Sequence, residues 1–552
     1  MNSFFGKWNR TLRKSWVLLV LSMLLPTFGL SYSALKAQRI YAYYSVLEYS
    51  IPVADLEKFA KNGVVDEELA SYLQFLKPKQ LQELRRALIT PIKVHPVAVS
   101  QFLDTPLGEF LLHRLTEAIK TKSSQPKAGF AALRSALILA AKEPDGLTLL
   151  NVVRKYPSSS IQIDLARTLK IIAEVGKMLD QTNRAIAAVS QQEAKEAAII
   201  PSLFNLSQLP DLTSQGRFGL TKQTLKFFDP ARTRLLVTDI YLPKILTKIP
   251  VILISHGLGT DSSNFQYLAT HLASHGFAVV VPNYPSSDIE QLRSLVDTKV
   301  ADVAIPTELY QQPLDVKYIL DQLQADSRFN NRLNLQQVGV FGQSLGAHTA
   351  LTLAGAKINI EQLKRDCNQK VLKKTWNLSL LLQCRALAIR DDNNEEYNLH
   401  DQRVKAVIAV NPITSSIFGE VGLRQIQAPV MIVASSDDAI APAAYEQILP
   451  FSWIANSQKY LVLLRGGTHF SVIGEGKEST EQVTFPLGLV GDNPQQAHRY
   501  MNALSLPFFK NHVAGIPKYS LYLNATYAKS ISSNSNQAMG LSLIQSLTFD
   551  HK

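Results

Sequence analysis

The sequence predicts an α/β chain, a doubly wound and mostly parallel sheet preceded by a helical accessory domain. Three observations carry that expectation. Past about residue 210, near-continuous apolar runs alternate with helical patterns, as in parallel strands covered by helices on both faces. Before it, apolar residues recur three and four apart, the helical period. A chain of 552 residues, 46% apolar and only 18% charged, also has the material for more than one large core and is too apolar for broad disorder.

The first 37 residues have the form of a signal peptide. Lys7, Arg10, Arg13 and Lys14 precede an apolar stretch over 16–30, and small residues follow it over 31–37. The stretch is short for a bilayer span, so cleavage is expected, with an uncleaved anchor as the alternative. Either reading sends the chain out of the cytosol, to a periplasmic, lumenal or extracellular site. The formal charge is +12, and removal of residues 1–37, which contain five cations and no acid, leaves +7. That surplus is scattered and comes without a recognisable nucleic-acid-binding motif, so nucleic acid is excluded as a partner. A mildly basic surface suits peripheral contact with an anionic membrane instead.

Residues 38–210 read as the helical accessory domain. Segments 53–60 and 80–88 are amphipathic, Pro78, Pro91, Pro96 and Pro106 punctuate the region, 122–127 is a loop, and 164–198 is a long Ala-rich helix. No metal-ligand cluster or phosphate loop lies there. Residues 211–490 form the sheet domain. Strands at 220–228 and 235–242 flank the turn signal Asp229-Pro230, and buried strands follow at 249–255, 278–281, 338–341, 404–410, 430–434 and 460–464. In such a sheet the active site belongs at the carboxyl ends of the strands. Residues 357–403 intrude after one of the helices as a cap-like insertion, or as an inert surface excursion. They hold the only cysteines, Cys367 and Cys384, which either form a local disulfide or stay as two buried thiols. Residues 491–552 read as a C-terminal helical extension and tail.

The chemistry starts at Gly342-Gln343-Ser344-Leu345-Gly346, between the strand ending at Phe341 and a helical pattern. A serine on so tight a strand–turn–helix elbow needs small neighbours, and Gly342 and Gly346 provide them. Its hydroxyl is a weak nucleophile without a base. His469, in Gly466-Gly467-Thr468-His469-Phe470 after the last buried strand, is the histidine best placed at a strand end. His348, His271 and His275 fall within or beside helices and suit packing. The orienting acid is expected between serine and histidine. Asp438 in Ser436-Asp437-Asp438-Ala439-Ile440-Ala441-Pro442 is the candidate, with Asp437 as the alternative acid. The strand ending at Val410 is followed by Asn411-Pro412 and offers no carboxylate. Two backbone donors for an oxyanion are expected from Leu345 and, after the strand ending at Ser255, from Leu258. Gly257 lets that loop curl inward and His256 supports it, or is simply a packed histidine. No metal and no cofactor is required.

With these residues, 215–480 resembles α/β-hydrolases related to platelet-activating-factor acetylhydrolase. The likeness lies in Ile254-Ser255-His256-Gly257-Leu258-Gly259, Leu272-Ala273-Ser274-His275-Gly276-Phe277, the serine elbow and Gly467-Thr468-His469-Phe470. Gln343 stands where that family usually has His, and Asn411 stands where it has its acid. Residues 38–165 resemble an N-terminal domain of unknown function fused to such hydrolases in cyanobacteria, members of which are described as lipases or dienelactone-hydrolase-like enzymes. The resemblance implies a secreted serine carboxylic-ester hydrolase, a lipase or esterase on lipid-like or small acyl esters, phospholipids among them, with the insertion as a cap that admits acyl chains. A thioesterase, peptidase or acyltransferase on the same residues, and a non-catalytic envelope binding protein on a hydrolase scaffold, are the alternatives.

Overall fold

In the computed structural model of the chain, residues 36–548 are described apart from 45–46, 75–76, 92–95, 104–105, 122–125, 200–208, 286–303, 389–397, 476–493 and 534–538. The expected signal segment lies almost wholly outside the described residues. Among the described residues, no helix is long and apolar enough to cross a membrane. One compact unit runs to Asp180 and a second begins at Gln181.

The first unit is not all helical. Two of the expected helices are present as α1 (Val53–Asn62), which buries Val53, Leu56, Phe59 and Ala60, and α2 (Pro78–Ile89), and a helix not expected from the sequence, α3 (Pro126–Ala141), begins inside the expected loop at 122–127. A small sheet joins them, built from β1 (Arg39–Tyr44), β2 (Leu47–Pro52), β3 (Ile119–Thr121) and β4 (Ser160–Asp164) in the order β2-β1-β4-β3. In β1 the buried Ile40 and Ala42 alternate with more exposed neighbours, the period of a half-buried strand. Its parallel partner β4 arrives from Ser160, opposite Arg39. Helix α4 (Leu165–Ile199) is the long Ala-rich helix. The second unit starts inside it rather than at 211, because Ala185 and Val189 are buried in the same apolar cluster as Leu236 and Ile240.

The second unit is organised by a sheet of β5 (Leu220–Asp229), β6 (Arg234–Pro243), β7 (Ile249–Ser255), β8 (Ala278–Asn283), β9 (Leu333–Gln343), β10 (Val404–Val410), β11 (Val430–Ser435), β12 (Lys459–Arg465) and β13 (Gly540–Ile544). Among the described residues its order is β13-β12-β11-β10-β9-β7-β8-β6-β5. The strands from β8 across to β12 are parallel, while β5, β6 and β13 pair antiparallel at the two edges. Alternation sends Val251, Leu253, Val340 and Val407 to one face, under α6 (Ala304–Ala325) and α7 (Leu345–Leu353). Ile252, Ile254, Phe341 and Ile408 go to the other, under α5 (Gln266–Ser274) and α10 (Pro494–His512). Covered on both faces, these strands need apolar side chains at nearly every position, which is why they read as continuous runs.

The insertion contains α8 (Ile360–Asp366) and α9 (Leu378–Cys384), and Cys367 and Cys384 are disulfide-bonded. The C-terminal residues depart from the expected helical extension. After α10 and α11 (Ala525–Ser533), β13 pairs Leu461 with Ile544 and Arg465 with Gly540, and buries Leu541, Leu543 and Ile544 against the last parallel strand. They belong to the second unit and cover its sheet edge.

Candidate active site

At the end of β9 the chain turns into α7 through Ser344, whose φ of 55° and ψ of −116° lie outside the ordinary wells for an L-residue. Such a conformation costs about 1–3 kcal/mol and persists only where its surroundings enforce it. Here the Ser344 N–H donates to Val410 O at 2.9 Å, and the Ser344 carbonyl accepts from Ala347 and His348 at 3.0 and 3.1 Å. Two glycines make the elbow sterically possible. A Cβ on Gly342 would stand 2.0 Å from Gly346 O, and one on Gly346 would stand 2.0 Å from Ser255 O.

The loop after β12 brings His469 over this serine. Its Nε2 lies 2.9 Å from Ser344 Oγ and its Nδ1 lies 2.7 Å from Asp438 Oδ2. The other carboxylate oxygen of Asp438 accepts the N–H groups of Ile440 and Ala441 at 2.9 and 2.8 Å. Those two donors fix the carboxylate, so Oδ2 receives the proton of Nδ1 and the lone pair of Nε2 faces the serine hydroxyl. His469 is 4% exposed and Asp438 is 6% exposed, so the hydrogen bonds are shielded from water. Asp437, the alternative acid, is not brought to His469. It is exposed, accepts from Ser436 Oγ, and donates its N–H to Gly467 O.

The loop after β7 lies directly beside the serine. A Cβ on Gly257 would be 3.0 Å from Ser344 Cβ, and Leu258 follows it, half-buried. Leu345 is the first residue of α7, next to Ser344. His256 is wholly buried. Its Nδ1–H donates to Gly257 O at 2.9 Å and its Nε2 accepts the Tyr284 N–H at 3.4 Å, which ties the loop to the end of β8. Both nitrogens are occupied by backbone groups, so His256 supports the loop.

Among the other histidines near the site, His348 is fully enclosed. Its Nε2–H donates to Leu309 O, it stacks on Phe418, and burial pushes its pKa down to about 4. Among the described residues no three His, Cys, Asp or Glu side chains converge as metal ligands.

Residues 36–164 match the family model described as an alpha/beta hydrolase of unknown function (DUF1400), and residues 214–366 match that of chlorophyllase. The fold is that of the α/β-hydrolases. The chlorophyllase match takes in Ser344 and the 256–258 loop of the hydrolase sheet and stops before Asp438 and His469. No curated protein matches the chain. Both family matches support a hydrolase.

Four further residues around the site have contacts that the sequence does not announce. Tyr284 Oη shares a hydrogen bond with Ser255 Oγ at 2.8 Å. Gln343 and Asn411 reach the backbone of His469. Glu446, fully buried, accepts from the N–H groups of Thr414 and Ser415, from Ser415 Oγ, and from Asn377 and Gln383 of the insertion. Gln343 stands inside the serine elbow, whose pattern does not specify that position, and the roles of Gln343, Asn411 and Glu446 leave no pattern because each acts on backbone or on residues far away in sequence.

Proposed function

We propose that the protein is an exported serine ester hydrolase that cleaves lipid-like or small acyl esters through an acyl-enzyme. The observation that carries this reading is one imidazole spanning Ser344 Oγ and Asp438 Oδ2 over 2.9 and 2.7 Å. His469 takes the serine proton as Ser344 Oγ attacks the ester carbonyl, and Asp438 stabilises the imidazolium that forms. The negative charge on the tetrahedral oxygen falls to the N–H groups of Leu345 and Leu258, each worth about 3 kcal/mol of transition-state stabilisation. The protonated His469 then gives its proton to the departing alkoxide as the C–O bond breaks. Water, deprotonated by His469, releases the acid from Ser344.

The chlorophyllase-family match supports ester chemistry within the hydrolases. Export rests on the basic and apolar pattern of residues 1–37, and the Cys367–Cys384 disulfide fits an oxidising compartment. The insertion that this disulfide closes is the cap that receives the acyl chain. Its helix α9 touches the acid loop, where the Ser379 N–H donates to Ile440 O at 2.9 Å.

The test is a series of p-nitrophenyl esters of rising chain length, followed by phospholipids and galactolipids, on the wild type and Ser344→Ala. The variant should lose at least about 10³-fold in kcat with an unchanged thermal midpoint. Equal turnover by Ser344→Ala would dismiss the mechanism, and hydrolysis of thioesters or amides in preference to oxygen esters would dismiss the substrate class.

A further inference from the structure

His469 is held by more than its imidazole. Its backbone carbonyl receives two side-chain amides, Gln343 Nε2 at 3.0 Å and Asn411 Nδ2 at 3.1 Å, and the same Asn411 nitrogen lies 3.3 Å from Thr468 O. Gln343 is 1% exposed and Asn411 is fully buried. The two donors come from the carboxyl ends of neighbouring parallel strands, β9 and β10, which are anchored to each other and to β11. The Ser344 N–H donates to Val410 O at 2.9 Å and the Asn411 N–H to Val433 O at 2.8 Å. The histidine loop leaves β12 through Gly466 and Gly467, and its own ties, the Gly466 N–H to Ser436 Oγ and the Thr468 N–H to Ser471 Oγ, both at 2.8 Å, do not reach the His469 carbonyl.

We propose that Gln343 and Asn411 are positioning residues that bracket the His469 carbonyl and set the distance between imidazole and serine. The proposal rests on the reading of Ser344 as nucleophile and His469 as base. Three features favour it over simple packing. The donors are neutral, so they fix the loop without placing a cation beside the base, which would oppose its protonation. Asn411 adopts φ 47°, a left-handed conformation that any residue but glycine adopts at a cost, and it aims its amide at the loop from there. Gln343 reaches the other wall of the site as well, because a Cβ on Gly257 would stand 2.7 Å from Gln343 Oε1. One side chain next to the nucleophile thus touches both the base loop and the loop of the expected oxyanion donor. A carboxylate at 411 would face two carbonyl oxygens where the structure has a donor.

The experiment measures the rate at which a fluorophosphonate probe labels Ser344, read by intact mass, alongside the thermal midpoint. The variants are Asn411→Gly, Gln343→Met and Asn411→Asp in the full chain. Glycine suits the left-handed backbone better than asparagine, so a purely conformational role predicts unchanged labelling by Asn411→Gly. The bracket predicts a fall of about ten- to a hundredfold with the fold retained, the effect of a misplaced base. Gln343→Met keeps the volume, removes the donor and should fall similarly, and it decides the matter if Asn411→Gly does not fold. In Asn411→Asp the protonated carboxyl can still donate to the carbonyls and the carboxylate cannot. Its rate relative to wild type should therefore drop as pH rises. Unchanged labelling by the folded variants, or a flat ratio across pH, overturns the bracket while leaving the serine hydrolase intact. Failure of the wild type to label overturns both.

Discussion

Replacing Asp438 by Asn isolates what the acid does for His469. Oδ1 is committed to the N–H groups of Ile440 and Ala441, so the amide nitrogen of the variant takes the place of Oδ2 and presents a donor to Nδ1. The imidazole must then carry its proton on Nε2, facing the serine, and cannot act as a base. Asp438→Asn should lower kcat on p-nitrophenyl esters by about 10⁴-fold, and Asp437→Asn should leave it within about twofold, since Asp437 is exposed and bonded to Ser436. Equal losses in the two would show that the wrong carboxylate has been given the role. The sequence leaves this pair undecided for a physical reason. Both residues lie in a turn past the end of β11, where strand parity no longer dictates which side chain faces inward. Ser344 and His469 were more legible, because an elbow leaves its mark in flanking glycines and a strand end in the apolar run before it. Gln343 and Asn411 act on a main-chain carbonyl, which leaves no mark.

Glu446 does at the level of elements what Asp438 does at the level of atoms. One buried carboxylate gathers donors from the loop after β10, at Thr414 and Ser415, and from the insertion, at Asn377 and Gln383. Gln383 in turn accepts the N–H groups of Ser416 and Ile417 through its own oxygen. The insertion is therefore clamped through Asn377, just before α9, and Gln383, within it. Glu446→Ala would leave these donors buried and unpaired, a loss of about 3–5 kcal/mol, measurable as a lower denaturant midpoint. Glu446→Gln, which turns one acceptor into a donor facing donors, should fall between the two. A midpoint for Glu446→Ala within experimental error of wild type would mean that the clamp is not holding the insertion. Such clamps are invisible in sequence because their members lie 31 to 69 residues apart. The same reason hides the small sheet of the first unit, whose strands are three to six residues long and pair Arg39 with Ser160. It hides β13 too, a five-residue strand whose partner is β12. The parallel strands were readable because burial on both faces makes each one apolar along its whole length.

For the molecule as a whole, the histidines decide how it meets acid. Burial holds His348, His498 and His512 down to about 4 and His271 to about 3, against an ordinary value of 6.5. A group whose folded pKa is depressed in this way is neutral in the folded state over a range in which the unfolded chain binds its proton. Each therefore contributes stability that is present above about pH 6.5 and is lost as pH falls towards 4, at up to about 1.4 kcal/mol per pH unit. Asp315 works in the opposite direction. Burial raises it to about 6 despite its Arg232 and Arg234 partners, so its protonation favours the folded state as pH falls through 6. Four histidines outweigh one aspartate, and the second unit should lose thermal stability steeply between pH 6.5 and 4. His348 is the sharpest probe. Its Nε2–H is already given to Leu309 O, and among the described residues its buried Nδ1 has no hydrogen-bond partner, so a second proton there has nothing to bond. His348→Asn keeps an N–H donor but takes up no proton. Its midpoint should start lower than wild type at pH 7 through lost packing, yet fall less between pH 6.5 and 4.5. Parallel curves for the two proteins would remove His348 from the acid response.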